Sequence, residues 1–235
     1  MPGAPADARV QEESISSTPG RAPLLLGPRR ALALTIIGIA LYVVLDVIAQ
    51  LLPPHYSPIS QAESDLAVGP YGYVMAVNFV VRGALTFAFL FGLIGATRLG
   101  KTARVGLALL AIWGAGAFVL AVFPTDVGTM VTVHGMIHNT TAAVAFTGGA
   151  FGALLLSAHF PAEERLRRLG TTARILSVIG VVMYIATLAA LVFRRLSQVF
   201  GLVERLFIGI VLLWILVVAL ELLLSNRGSR ATATA

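Results

Sequence analysis

The sequence predicts an all-α protein, an integral membrane bundle of six transmembrane helices with both termini cytoplasmic. Three observations carry that expectation. Of 235 residues, 57% are hydrophobic and only 12% charged, against about 45–50% and about 25% in a soluble domain. The apolar excess falls in six uninterrupted blocks, each close to the ~20 residues that a spanning helix needs. Lys and Arg sit in the short connections, and connections rich in them alternate with connections that are nearly free of them.

The blocks run over roughly residues 31–52, 71–96, 105–123, 132–158, 174–193 and 203–224. Pro53-Pro54 ends the first, because proline removes a donor and restricts the residue before it. Gly69-Pro70 precedes the second and Pro124 closes the third. The polar stretch HFPAEERLRRLGTTAR divides the fourth from the fifth, and FRRLSQVFGL the fifth from the sixth. Residues 1–30 are rich in Pro, Gly, Ala and Ser and read as a disordered cytoplasmic tail, as do residues 225–235. The basic residues before the first block are followed by a long apolar segment with no small-residue cleavage site, which argues against a secretory signal.

With the N-terminus inside, the inner segments hold Arg21, Arg29, Arg30, Arg98, Lys101, Arg104, Arg165, Arg167, Arg168, Arg174, Arg227 and Arg230. The first two outer loops hold no Lys or Arg, and the third holds Arg194 and Arg195. This distribution accounts for the net charge of +6 as membrane orientation in a cell (plasma) membrane protein. It implies a lipid bilayer as partner and no nucleic acid. The absence of cysteine excludes disulfides, thiolate catalysis and Cys-type metal centres. No glycine-rich phosphate loop is present, so soluble cofactors are not expected. The sequence does not address oligomeric state.

Polar residues gather towards the outer face. The first outer loop supplies His55, Ser57, Ser60, Glu63 and Asp65, the second Asp126, and the fourth helix opens with His134 and His138. A spacing of four puts the two histidines on one helical face, the arrangement by which a helix offers two imidazoles to one metal. With His55 or Asp126 as a third ligand the set would suit zinc with an open position; hydrogen bonding across the outer loops is the plainer role. Glu204 and Arg205 open the sixth helix. They read as an interfacial pair, with Arg205 able to reach Asp65 or Asp126.

Two charges lie deeper. Asp46 is ~9 Å below the outer end of the first helix and Arg82 ~18 Å down the second, at 1.5 Å per residue. Side chains tilt towards a helix's N-terminus, so Arg82 reaches up and Asp46 down, and an ion pair between them is expected. The alternative makes Arg82, with Asn78 one turn above it, the floor of a polar cavity that anchors an anionic head group.

The Ser-containing loop SPISQAESDL, the embedded Arg82, FPTD at the end of the third helix, His134 at the mouth of the fourth, GLVERL and Trp214 in the sixth together resemble the DUF998 family of multi-pass membrane proteins. The resemblance covers residues 31–224; it implies the fold and no reaction. The HxxxH pair is also similar to that of membrane hydrolases related to alkaline ceramidases, which hold zinc with histidines beside Ser and Asp. That likeness would make His134, His138 and His55 ligands, with Asp65 or Asp126 and Ser57 or Ser60 as accompanying carboxylate and hydroxyl. The helix count, the position of HxxxH and the loop placement of His55 depart from that pattern.

Three functions fit these residues. The most economical is an outward-facing polar pocket that binds a small ligand, lipid head group or metal, with Arg82, Asn78 and Arg205 as ligand contacts. The second is a zinc-dependent hydrolase of lipid amides or esters, with a metal-activated water and a proton-shuttling carboxylate. The third is a transporter, which would want polar groups continuing to the inner face and broken helices. The residues leave open whether the chain is an enzyme.

Overall fold

The structure, a computed structural model, describes residues 26–129, 131–193 and 195–231. Helices α1 (Pro28–Leu51), α2 (Gly72–Ala96), α3 (Lys101–Val122), α4 (Val133–His159), α5 (Gly170–Val192) and α6 (Phe200–Ala231) form it, with short 3-10 turns and no strand among the described residues. All six are long and apolar enough to cross a membrane. They lie within a few residues of the expected blocks, and the differences have local causes. Pro28 takes the first turn of α1, where its missing N–H costs nothing. Helix α3 begins four residues early because Lys101 and Arg104 are good helix formers that an apolar count passes over. Helix α6 extends to Ala231, into the stretch expected to be a disordered tail. Most of the expected N-terminal tail, residues 1–25, lies outside the described residues.

Each helix packs on its neighbours in chain order, and α6 returns to α1, so the six close into a ring. The 52–71, 123–132 and 193–199 connections form one end, called upper below. The lower half is organised around aromatic side chains. Trp214 lies edge-on to Phe89 and stacked on Phe160, with ring centroids 5.7 and 5.8 Å away. Its indole N–H donates to Ser157 Oγ at 2.8 Å, and that hydroxyl donates to the Ala173 carbonyl at 3.1 Å. Helices α3 and α4 approach at backbone contact: a Cβ on Gly148 would collide with the Leu109 carbonyl, and one on Gly152 would lie 2.9 Å from Leu110 N. Small residues permit this proximity between membrane helices. Connections at the lower end are tied by the Arg98 amide donating to Glu163 Oε2 (3.1 Å) and by Arg165 Nη1 donating to the Ala96 carbonyl (3.0 Å).

A buried polar cavity in the upper half

The first upper connection is fixed to the start of α6. Arg205 Nη1 donates to the carbonyls of Pro58, Gln61 and Gly201, each at 3.1 Å, and Nη2 donates to the Tyr56 hydroxyl. That hydroxyl donates in turn to the Ala62 carbonyl at 2.8 Å. The Leu202 amide donates to the Ile59 carbonyl at 2.9 Å. Gly201 is required here, because a Cβ would collide with the Gln61 carbonyl. Arg205 therefore binds backbone carbonyls and Tyr56, correcting the expectation that it would reach Asp65 or Asp126. Burial pushes the Tyr56 phenol up despite the guanidinium beside it, and burial also pushes up the carboxyl of half-buried Asp65.

This tie presses the 3-10 turn Glu63–Ala67 into the bundle. Glu63 is 2% exposed and Glu204 6%. The Tyr42 hydroxyl donates to Glu63 Oε1, and the Glu63 amide donates to Glu204 Oε2 at 2.7 Å. Asp46, one turn along α1 from Tyr42, accepts from Gln50 Nε2 at 2.6 Å. The expected Asp46–Arg82 ion pair is not formed. Tyr42 and Asp46 border a cavity of about 290 Å³ against α6, whereas Arg82 borders a different one and packs on Phe79 and Trp113.

Arg82 is 1% exposed. Its guanidinium carbon lies 4.7 Å from the Trp113 ring centroid and 5.1 Å from that of Phe79. Nε and Nη2 have no hydrogen-bond partner, and no carboxylate of the described residues comes within the 4.0 Å of an ion pair. The side chain borders a cavity of about 430 Å³ that Glu63, Glu204, Asp126 and His138 also line. Asn78 is fully buried beside it, with its amide nitrogen 4.0 Å from Met75 Sδ and its carbonyl oxygen unpartnered.

The second upper connection positions His138. Asp126 accepts from the Thr132 amide (2.8 Å) and hydroxyl (2.7 Å), and Thr132 Oγ1 caps α4 by accepting from the Gly135 amide at 3.1 Å. Those two bonds hold the Asp126 carboxyl below its ordinary range. His138, 2% exposed, places Nδ1 2.7 Å from the Phe123 carbonyl. A carbonyl only accepts, so Nδ1 carries the hydrogen and Nε2 of the neutral ring is a free acceptor.

The cavity thus gathers Arg82, His138 and Asp126 from the expected residues. Asn78 and Arg205 support its walls without lining it. His134 is exposed and lies edge-on to Phe123, with ring centroids 5.5 Å apart. His55 is exposed on the first connection in the left-handed region, φ 65°. Ser57 and Ser60 hydrogen-bond within that connection at 3.4 Å. No group of three or more His, Cys, Asp or Glu side chains able to hold a metal exists among the described residues, and of the two helical histidines His134 is exposed while His138 is buried. Tyr42 and Ser64 escaped the sequence reading, and Glu63 and Glu204 were seen without their burial. One signal was present for Tyr42: Tyr42, Asp46 and Gln50 recur every four residues in the otherwise apolar stretch 36–51.

A ring of six membrane-length helices with charged groups enclosed in one half defines a multi-pass membrane protein. Residues 36–221 match the family described as Protein of unknown function (DUF998), and the chain belongs to that family. No curated protein and no solved structure matches it.

Proposed function

We propose that this is a plasma membrane protein with both termini cytoplasmic, whose outward-facing upper cavity binds a small ligand or lipid head group through an anionic group. One observation carries the reading: Arg82 is buried, lines the cavity and has no ionic partner. Arginine cannot discard its proton. Two cation–π contacts contribute about 0.5–2 kcal/mol each, against a desolvation cost of several kcal/mol for a buried ion. A carboxylate or phosphate offers the two oxygens that match the guanidinium fork and offsets the difference. A transporter ranks last, because polar groups thin out along the sequence below Arg82 and the six long helices run unbroken.

The test is binding of dodecyl phosphate to detergent-purified protein, followed by thermal melting. The wild type is expected to be stabilised and Arg82→Gln to gain nothing. Equal stabilisation of both would sink the reading.

A zinc-dependent hydrolase is the second reading, favoured by the free Nε2 of His138 in the cavity. Near-stoichiometric zinc in purified wild type, lost in His138→Ala, would place it first.

A further inference from the structure

Helices α4 and α5 meet where Thr147 Oγ1 and the Tyr184 hydroxyl hydrogen-bond at 2.6 Å. Above that point the wall of the cavity is made by side chains that also face outward. Asn139 and Ala143 of α4 are exposed, and Leu188 and Leu191 of α5 are 39% and 65% exposed, yet all four line the cavity. The same residues cannot face both the cavity and the lipid unless the wall between α4 and α5 is open there. From Thr147 to Asn139 the gap runs eight residues of α4, about 12 Å.

The opening and the charge border one cavity. Arg82 lies ten residues past the start of α2, about 15 Å along the helix axis, with its side chain directed back upward. That depth falls within the ~30 Å hydrocarbon layer, and Arg82 borders the same cavity as the gap residues. A molecule already dissolved in the bilayer reaches the guanidinium sideways without crossing water. The rim supplies a leucine and an alanine at the middle of the gap, an environment for a hydrocarbon chain and not for a hydrated ion.

We infer that the cavity is loaded from the lipid through the α4–α5 gap, and that its ligand is a chain-bearing amphiphile. Its carboxylate or phosphate sits on Arg82 and its hydrocarbon tail leaves between Ala143 and Leu188. This rests on the anion-binding reading above and adds the source and the tail.

The experiment uses protein in phosphatidylcholine nanodiscs, with hexadecyl phosphate as probe and inorganic phosphate as its chainless counterpart. Hexadecyl phosphate should bind wild type, and about tenfold or more weakly to Arg82→Gln, which loses charge-assisted hydrogen bonds. Ala143→Phe and Leu188→Phe, which fill the gap, should also weaken binding by about tenfold, the scale of blocked tail packing. Val182→Phe, on a lipid-facing position away from the cavity, should bind like wild type and melt like the gap variants. Millimolar inorganic phosphate should not displace the probe. If phosphate displaces it at matching concentrations, or both gap variants bind like wild type, the ligand arrives from water and the lateral route is wrong while the anion site stands. If Arg82→Gln also binds like wild type, both readings fall.

Discussion

The two halves of the bundle bury different things by different means. In the lower half Trp214, Phe89 and Phe160 fill the interior, the indole N–H finds Ser157, and glycines bring α3 and α4 into backbone contact. In the upper half Arg82, Glu63, Glu204 and His138 are as fully buried, but around a cavity and with the guanidinium unsatisfied. Lipid gives no hydrophobic drive between helices, so packing and hydrogen bonds must hold them together. The difference teaches that the lower half supplies cohesion and so lets the upper half carry an arrangement that costs stability.

Four experiments break or sharpen that contrast. The largest effect is expected from Gly148→Val. Its Cβ would meet the Leu109 backbone, which cannot yield as a side-chain tip would. About 3 kcal/mol or more should be lost, seen as failure to elute as a single species from size-exclusion chromatography. The second runs in the opposite direction. Arg82→Met removes an unpaired buried charge at similar length, so the ligand-free protein should gain about 1–4 kcal/mol while losing anion binding; a lower melting temperature would show that Arg82 is already satisfied.

Tyr42→Phe should cost about 1.5–3 kcal/mol by removing the hydroxyl that donates to Glu63, measured by chemical denaturation in detergent. The effect should shrink when Tyr42→Phe is made on a Glu63→Gln background, because the two side chains are hydrogen-bonded to each other. The smallest effect concerns acid. The Asp126 carboxyl is held low by Thr132, so its contribution is present above its unfolded value of ~3.9 and is lost as pH falls through the lower folded value. Below about pH 4 the N-terminal turn of α4 should exchange amide hydrogen faster, and Asp126→Asn should exchange faster already at neutral pH.

The helices were legible because a bilayer demands about 20 apolar residues in a row, and local composition records that demand. Arg82 and His138 stood out for the related reason that a polar group inside a span must be explained, and both border the cavity. What escaped was rotation and long-range pairing. A period of four placed His134 and His138 on one face, but that face straddles the edge of the bundle, so one is buried and the other exposed. Asp46 and Arg82 border different cavities, which no count along the chain reports. Glu63 meets Tyr42 across 21 residues and Glu204 across 141. A loop glutamate on the sequence becomes an interior one only through contacts of that length.

The bond between Arg205 and the first connection has a consequence for biosynthesis. The carbonyls of Pro58 and Gln61 leave the ribosome 147 and 144 residues before the arginine that binds them. At about 5–20 residues per second the first connection waits on the order of ten seconds for its anchor. The Glu63 amide waits a similar time for Glu204. Five helices can insert and begin to associate in that interval, but the cavity has no second wall until the sixth arrives. A nascent chain stopped before residue 200 would hold every expected cavity residue from Arg82 to His138 and would still lack the wall that Phe200, Glu204 and Ile208 supply.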